Sequence, residues 1–377
     1  MSFFRLRLEN EVKSRRTVVF VAPRFHSNYI GWLQRLSLNG WDSILLVATE
    51  GPSEDHRYAT EVVKVPDSYV SRLATFLNLL KGANEPNRGP SIRWMLRKFK
   101  DIQPDAVIIR GRRSLLSLVA SIACRILRIP VAIYQQDPIC SPVREPWSHL
   151  LYDRLFFQAK MTTVFGYANS ELSSGWKFVP FEPPSGLGVG ERSEVSGKSL
   201  VTIGKFESDR KRIPELLEVV ARLSDLDFHL TLIGSSDSEE IDPSWGPLIR
   251  AIGPGRLTTR RNIPHDQVLD VLAGAHVFVL PARDEPASIA VIEALALGAR
   301  VVCSDSCGTR DYVAPGRGII FPTDDWCALE GALRTALTQE VLPLDQTQVE
   351  MWSRRSANIT TVDAFVSGLA SVRHCRG

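Results

Sequence analysis

One stretch decides the fold: Leu280-Pro-Ala-Arg-Asp-Glu-Pro-Ala-Ser-Ile-Ala-Val-Ile-Glu-Ala-Leu-Ala-Leu-Gly298. The apolar run His276-Val-Phe-Val-Leu280 leads into it and predicts a short buried strand. A polar loop then presents Glu285, and the spacing of apolar residues predicts a helix from Ser288 to Leu297, which ends at Gly298. A strand, a polar loop and a helix in this order indicate one step of a parallel α/β sheet.

The same alternation extends on both sides of this stretch. In the carboxyl-terminal half, further strands are predicted at 200–203, 229–233 and 300–303, and helices at 215–223, 266–272 and 324–337. In the amino-terminal half, strands are predicted at 17–22, 43–48, 61–65, 106–109, 131–134 and 162–165, and helices at 30–38, 69–80, 92–99 and 114–127. Each half therefore predicts its own doubly wound parallel sheet.

The composition changes between the two halves. Residues 178–198 hold three prolines and four glycines with little periodicity, which is typical of a linker. We therefore predict an amino-terminal domain, a linker, a carboxyl-terminal domain and terminal helices that pack back toward the first domain. The predicted bounds are 1–180, 181–198, 199–348 and 349–377. Because open parallel sheets bind ligands at the carboxyl ends of their strands, two such sheets facing each other would form a cleft.

The predicted helix start after the 276–280 strand is the first candidate site. The free amides at Ser288, Ile289 and Ala290, together with the positive end of the helix dipole, suit a phosphate. Glu293 shares a face with Ile289, so its carboxylate could accept two hydroxyls such as those of ribose. Glu285 lies at the strand end, where a sugar attached to that phosphate would reach. The alternative is a helix cap with one exposed carboxylate.

A cationic loop follows the strand predicted at 200–203. Lys205 and Lys211 are six residues apart, and Arg210 and Arg212 flank the second lysine. Cations beside a leaving diphosphate stabilise the charge that grows as a glycosidic bond breaks. The alternative is a solvated basic turn.

These two stretches together resemble a known family. Glu285 and Glu293, with seven residues between them, resemble the Glu-x7-Glu signature of family-four retaining glycosyltransferases, and the following Glu-Ala-Leu-Ala-Leu-Gly-Ala-Arg-Val-Val also looks like that family. The resemblance is specific over about residues 200–325 and only architectural over residues 17–180. It implies the GT-B fold, in which two Rossmann-like α/β domains face each other across a cleft, and a nucleotide-sugar donor bound by the second domain.

The resemblance also implies roles for individual residues. Glu285, Lys205 and Lys211 would be the catalytic residues, with both lysines on the donor phosphates. Glu285 would orient a sugar hydroxyl rather than act as a covalent nucleophile. Further donor contacts would come from Glu293 on the ribose and from the amides of Ser288, Ile289 and Ala290 on the phosphates. Arg210 and Arg212 are extra basic residues that depart from the family pattern, and Arg210 is a further candidate donor contact. Arginine is commoner in the family at the position of Lys205, and a lysine there keeps the charge but loses bidentate geometry.

The amino-terminal domain would carry the acceptor side. His26, in the loop after the first predicted strand, either contacts donor or acceptor or has no role. Gln136 and Asp137 stand near a position where many relatives have a histidine on the donor sugar. Either residue could contact the sugar instead, and the alternative is that this end of the site is rebuilt. The run Arg110-Gly-Arg-Arg113 either binds an anionic acceptor or is a solvated helix start.

Charge and composition narrow the class of protein. Of 377 residues, the first 180 hold 25 Lys and Arg against 15 Asp and Glu, although the whole chain has a net charge of only +3. This basic half, and the basic amphipathic segment 92–100 within it, suggest peripheral membrane contact, with packing on its own sheet as the alternative. We find no apolar run long enough to span a bilayer and no secretory signal, so a cytoplasmic location is expected, with attachment to the inner face of the membrane as a second possibility.

The cysteines and acidic residues predict no metal or cofactor. The six cysteines have no zinc-like spacing and are expected to be reduced thiols. No Asp-x-Asp stands at a strand end, and two lysines can supply the positive charge, so metal-independent chemistry is expected.

The sequence therefore predicts a retaining, hexosyltransferase-type enzyme. It would move a sugar from a nucleotide-sugar to a glycan or lipid-linked acceptor, in the synthesis of cell-surface polysaccharide or glycoconjugate, without a nucleic-acid partner. Alternatives are another GT-B enzyme, such as a nucleotide-sugar epimerase or a sugar phosphorylase, and a non-catalytic GT-B binding protein. A nicotinamide-dependent oxidoreductase is disfavoured, because no Gly-x-Gly-x-x-Gly follows the first strand of either domain.

Overall fold

Two parallel sheets organise the chain. The computed structural model describes residues 15–25, 29–50, 56–69, 89–112, 114–136, 147–165, 175–183, 198–235, 242–339 and 360–374. Within these stretches, one sheet has seven strands and the other has six. The predicted fold class is therefore confirmed.

The first sheet is built from the amino-terminal half. Its strands lie in the order β3-β2-β1-β4-β5-β6-β7, and every adjacent pair is parallel. The strand bounds are β1 Arg16–Arg24, β2 Trp41–Thr49, β3 Glu61–Lys64, β4 Ala106–Arg110, β5 Val131–Tyr134, β6 Ala159–Thr162 and β7 Trp176–Phe178. The central strands are buried on both faces, which explains why they read as continuous apolar runs.

Helices cover both faces of this sheet. Their bounds are α1 Ile30–Leu38, α2 Ile92–Ile102, α3 Leu115–Leu127 and α4 Trp147–Phe156. Serine side chains start two of them: Ser91 Oγ accepts from the Trp94 amide, and Ser114 Oγ accepts from the Ser117 amide. Buried residues of α1 pack with one face of the sheet, and those of α2 and α3 pack with the other.

The second sheet repeats the pattern with the strand order β10-β9-β8-β11-β12-β13. Its strands are β8 Lys198–Ile203, β9 Phe228–Gly234, β10 Leu257–Arg261, β11 Val277–Leu280, β12 Arg300–Ser304 and β13 Gly318–Phe321. Its helices are α5 Ile213–Ala221, α6 Gly246–Ile252, α7 His265–Ala273, α8 Ile289–Ala296 and α9 Trp326–Thr338. Buried residues of α5 and α9 pack on one face of the sheet, and those of α7 and α8 pack on the other.

The two units meet at a buried tyrosine. The hydroxyl of Tyr312 donates to the Thr163 carbonyl oxygen at 2.9 Å and accepts from the Phe181 amide at 3.0 Å. Burial raises the pKa of Tyr312, so the hydroxyl stays protonated and can donate. A last helix, α10 Val362–His374, packs against α1, and its Asp363 accepts from Arg35. The predicted linker falls mostly on residues 184–197, which lie outside the described residues.

Several sequence-based boundaries were wrong. The strand predicted at 162–165 is β6 at 159–162, because Thr163 leaves the ladder and uses its side chain and carbonyl oxygen for other hydrogen bonds. Apolar patterning in the sequence does not reveal β7, β10, β13, α4 or α6. The strands among these lie at or near sheet edges, where the alternation of buried residues is weak; β10, for example, has no buried residue. The helix predicted at 69–80 lies, from residue 70 onward, outside the described residues.

Four cysteines fall on described residues, and all are free thiols. Cys124, Cys303 and Cys307 are buried, whereas Cys327 is exposed. Burial raises the pKa of Cys124, which makes it an unreactive core side chain. Within the described part of the chain, no helix has both the length and the apolar character needed to cross a membrane.

Candidate functional site

The basic loop after β8 folds back onto the strand end. Gly204 makes this possible, because a Cβ atom there would lie 2.9 Å from the Cγ of Lys211. A 3₁₀ helix, Asp209–Lys211, follows, and Arg212 in the left-handed conformation, with φ of 53°, turns the chain into α5. Lys211 is thereby held against the carboxyl edge of the second sheet.

A buried ion pair joins this loop to the loop after β11. Lys211 Nζ lies 2.6 Å from Glu285 Oε2, and a guanidinium nitrogen of Arg210 lies 3.4 Å from the same oxygen. Glu285 is only 5% exposed, so its charge requires such partners. The two stretches that the sequence singled out separately therefore meet in one cluster.

The backbone holds Glu285 from two sides. The Arg283 amide donates to the Arg210 carbonyl oxygen at 2.8 Å, and the Gly308 amide donates to the Glu285 carbonyl oxygen at 2.8 Å. Gly308 must be glycine, because a Cβ atom there would lie 1.8 Å from the Pro286 carbonyl oxygen. The carboxylate thus sits on a loop fixed to both neighbouring loops, which limits its movement.

Helix α8 begins beside this cluster. Ser288 is its N-cap residue, and the serine side chain makes no capping hydrogen bond. The first-turn amides, at Ile289 and Ala290, lie at the positive end of the helix dipole. The structure therefore has a helix start at Ser288, Ile289 and Ala290, and the binding of an anionic group there stays a prediction.

Glu293 has a partner that the sequence did not indicate. Its side chain is 3% exposed, and Oε1 lies 2.8 Å from Nε2 of His265, the first residue of α7. Since an ionised carboxylate only accepts, the hydrogen is on Nε2. The second carboxylate oxygen is the one available for a further donor. No spacing in the sequence predicts this contact, because it arises from the packing of α7 against α8.

Two further arginines, one in the basic loop after β8 and one in the loop after β11, also contact carboxylates. Arg212 contacts Glu215 at 2.9 Å and Asp324 at 3.5 Å, and Arg283 contacts Asp324 at 3.3 Å. Arg283 did not stand out in the sequence, although it is close to Glu285. Lys205 lies in the basic loop after β8, and it is exposed.

Gln136 lies at the carboxyl edge of the first sheet, in a network with two hydroxyl groups and Arg110. Its Nε2 bonds to the Tyr134 hydroxyl and, at 3.0 Å, to Thr163 Oγ1, while its Oε1 accepts from Arg110 at 3.5 Å. Arg110 also lies over the Tyr29 ring, 5.8 Å from its centroid. Burial raises the pKa of Tyr134, which keeps this hydroxyl neutral. The other two candidates of this domain, His26 and Asp137, lie outside the described residues.

The arginine run of the first domain divides in two. Arg112 is buried and forms two 2.7 Å hydrogen bonds to Asp153, which also contacts Lys160 at 2.9 Å. An acceptor role for Arg112 is therefore wrong, because its guanidinium serves the packing of α4 on the sheet. Arg113 lies outside the described residues, so Arg110 is the candidate that remains.

The described residues contain no group of three His, Cys, Asp or Glu side chains arranged to hold a metal. Metal-independent chemistry stays a prediction.

Sequence comparison finds a family model and several proteins that are similar to the second unit. Residues 197–339 match the family described as Glycosyl transferases group 1. The chain is 26% identical over 227 residues to a phosphatidyl-myo-inositol mannosyltransferase of Mycolicibacterium smegmatis, covering 53% of this chain and 57% of that protein. It is 28% identical over 163 residues to a glycogen synthase of Desulfitobacterium hafniense, covering 41% of this chain and 33% of that protein. The matches thus span about half, or less, of these relatives.

Solved structures with the same fold cover almost the whole chain. A sucrose-phosphate synthase of Thermosynechococcus elongatus matches with a TM-score of 0.59 and 16% identity, over 95% of this chain and 94% of that one. HepE of Anabaena, solved in complex with UDP-glucose, matches with a TM-score of 0.60 and 13% identity, over 95% of each chain. Residues 197–339 are thus similar to the group 1 glycosyltransferases, and the chain has the GT-B fold, as the resemblance implied.

Proposed function

We propose that the chain is a retaining glycosyltransferase that moves a hexosyl group from a nucleotide-sugar to a glycan or lipid-linked acceptor. The contact of Lys211 and Arg210 with Glu285, beside the start of α8, carries the proposal. The contact holds two cations, which would bind the donor phosphates, beside a carboxylate, which would bind the sugar, at one sheet edge. The family of residues 197–339 supports the same activity.

The donor would bind along α8 and the basic loop. Its diphosphate would lie between the Lys211 side chain and the amides of Ile289 and Ala290, and its ribose would bind Glu293 through the oxygen that His265 does not contact. The complex of HepE of Anabaena with UDP-glucose supports a nucleotide-sugar as the donor class.

The same groups would assist the transfer. As the bond between the anomeric carbon and the diphosphate oxygen breaks, negative charge grows on the diphosphate, and Lys211 and Arg210 are placed to stabilise it. Glu285 would orient a sugar hydroxyl while the acceptor attacks on the face that the diphosphate leaves. Because side-chain cations supply the charge, we propose that the transfer needs no metal.

The acceptor would approach from the first sheet, where Gln136 and Arg110 lie. A relative named as a phosphatidyl-myo-inositol mannosyltransferase supports a lipid-linked acceptor, and one named as a glycogen synthase supports a glycan. We propose a role in cell-surface polysaccharide or glycoconjugate synthesis, at the inner face of the membrane and without nucleic acid.

The first test is thermal unfolding of the purified protein with UDP, GDP or ADP, without added metal. A nucleotide that binds only the folded state raises the midpoint, by an amount equivalent to about 2.7 kcal/mol at a concentration 100 times its Kd. The shift should disappear in Glu293→Ala and persist in the control Glu218→Ala, which alters an exposed glutamate of α5.

A second test separates transfer from related reactions. The nucleotide-sugar with the matching base is incubated with candidate acceptors, and the anomeric configuration of the product is determined by NMR. A glycosylated acceptor with retained configuration supports the proposal. Release or epimerisation of the sugar without transfer would favour a phosphorylase or an epimerase. If no nucleotide raises the unfolding midpoint of the wild type or of Glu293→Ala in the first test, a non-catalytic GT-B binding protein would be favoured.

A further inference from the structure

The basic segment 92–100, which suggested membrane contact, forms most of α2, and its apolar side chains pack against the first sheet. In α2, Met95 and Phe99 are buried, and Ile92, Trp94 and Leu96 pack against the same core cluster. The remaining outward positions are charged, and one of them, Lys98, pairs with Glu61 at 3.1 Å. Helix α2 therefore packs on its own sheet, with its apolar side chains buried or partly buried there.

The apolar surface lies instead on α4. Trp147, Leu150, Leu151 and Leu155 are between 48% and 76% exposed, with Trp147 the most exposed. They recur at helical spacing and lie away from Asp153, which points into the sheet. We call these four residues the α4 ridge. Leucines and a tryptophan are rarely gathered on a solvated helix face, so this ridge calls for a partner.

Helix α3 extends this surface. The Tyr152 hydroxyl lies 2.9 Å from Ser121 Oγ, which places α4 directly beside α3. Leu118 and Ile126 of α3 are also exposed, by 40% and 57%. Both helices thus present apolar side chains from the same face of the first sheet.

The charge on this surface has one sign. Arg125 and Arg128, at the end of α3, and Arg154, on α4, are exposed. The one acidic residue within these two helices, Asp153, is buried and paired with Arg112. Within the described residues of these two helices and at the end of α3, the exposed charges beside the apolar ridge are arginines, which complement the anionic surface of a bilayer.

The orientation of the two helices adds a functional reason. Each lies in the connection between two parallel strands, so its amino-terminal end is at the carboxyl edge of the sheet, where the cleft lies. Leu118 and Trp147 are therefore the members of the surface nearest the cleft, and Trp147 is suited to the depth of lipid headgroups.

From these observations we infer that the α4 ridge, with the adjoining face of α3, is a docking surface for a bilayer of anionic lipid. The leucines and Trp147 enter the headgroup region, and Arg125, Arg128 and Arg154 contact the lipid phosphates. Docking in this way brings the cleft to the membrane surface. The inference extends the proposed transfer to a lipid-linked acceptor, but its test needs neither donor nor acceptor.

The experiment measures cosedimentation of the full chain with vesicles of phosphatidylcholine alone, or of phosphatidylcholine mixed with phosphatidylglycerol. Two variants alter the surface: Trp147→Ser with Leu151→Ser and Leu155→Ser, and Arg125→Glu with Arg154→Glu. Two matched controls alter similar side chains elsewhere: Leu38→Ser, at an exposed leucine of α1, and Arg250→Glu, on α6 of the second unit.

The wild type should bind the anionic vesicles and not the neutral ones, and added salt should weaken binding. Each surface variant should bind at least about tenfold more weakly, whereas both controls should bind like the wild type. Absence of binding at low salt, or surface variants that bind normally, would overturn the inference. Self-association of the chain that rises with concentration in ultracentrifugation would also overturn the inference if the Trp147→Ser, Leu151→Ser and Leu155→Ser variant abolishes it. The α4 ridge would then join two copies of the chain.

This outcome is separable from that of the proposed function. The variants change exposed side chains outside the donor site, so nucleotide-induced thermal shifts should be unchanged in all of them. Loss of vesicle binding with an intact nucleotide shift supports the docking surface alone, whereas absence of a nucleotide shift with normal vesicle binding would count against the donor site alone.

Discussion

The carboxyl edges of the two sheets differ in the kind of groups they present. The edge of the second sheet holds a buried carboxylate, Glu285, in contact with Lys211 and Arg210. The edge of the first sheet holds an amide and two hydroxyls, from Gln136, Tyr134 and Thr163. Burial raises the pKa of Tyr134 and so keeps its hydroxyl neutral, which leaves Arg110 as the charged group of this network.

Under the proposed function, the two edges of the cleft would bind different parts of the reactants. Fixed charges stabilise developing charge better than mobile water does, because they need no reorganisation when the reaction occurs. The charged edge therefore suits the departing diphosphate, and the neutral edge suits sugar or acceptor hydroxyls, which both donate and accept. Variants on the two edges should accordingly affect different kinetic constants.

The largest effect is expected for Lys211→Ala on the charged edge. Removing this cation should lower kcat about 10²–10³-fold, the range found when one preorganised electrostatic contact is lost. Arg210 is 44% exposed and lies farther from Glu285, so Arg210→Ala should lower kcat less than tenfold. Steady-state kinetics with saturating acceptor compares the two variants. Equal losses would show that the cations act as a diffuse patch rather than through the buried pair.

A slightly smaller loss is expected for Glu285→Gln, which keeps the shape but removes the charge. Turnover should fall about 10²-fold, as for a misplaced reactive group, while the nucleotide-induced thermal shift stays near that of the wild type. Glu207→Gln, in the basic loop, serves as the control. An unchanged transfer rate in Glu285→Gln would show that the assignment of Glu285 to the sugar is wrong.

His265 tests whether Glu293 needs support from a neighbouring helix. His265→Ala removes one hydrogen bond to a buried carboxylate, worth about 1.5 kcal/mol, and should raise the donor KM about tenfold with little change in kcat. His265→Gln can still donate and should recover most of the affinity. His229→Ala, at a histidine of β9 far along the chain from the site, is the matched control. A loss that appears only in kcat, or that His265→Gln does not reverse, would contradict a positioning role.

The sequence was informative on the charged edge and much less so on the neutral edge. Lys211 and Glu285 stood out because a basic loop and a strand–loop–helix step each carry a recognisable pattern. His265 and Arg283 did not, because their contacts depend on how α7 packs on α8 and on where Asp324 lies. On the other edge, Arg110 and Arg112 looked alike as neighbours after a strand, yet one lies at the cleft edge with Gln136 and the other is buried against Asp153. Edge strands such as β10 also escaped prediction, since they bury too little to produce an apolar run.

The smallest effect is expected on the neutral edge, for Gln136→Ala. One neutral hydrogen bond contributes about 0.5–1.5 kcal/mol, so the KM of the acceptor or of the donor sugar should rise about two- to tenfold. Nucleotide binding, measured with the free nucleoside diphosphate, should not change, because the proposed nucleotide site lies on the charged edge. Arg110→Met should also raise this KM. A larger rise with an anionic acceptor than with a neutral one would identify Arg110 as the residue that binds the acceptor's negative charge. If Gln136→Ala weakens binding of the free nucleotide as strongly as Glu293→Ala does, then the two edges share one ligand, and the division between a charged donor edge and a neutral acceptor edge is wrong.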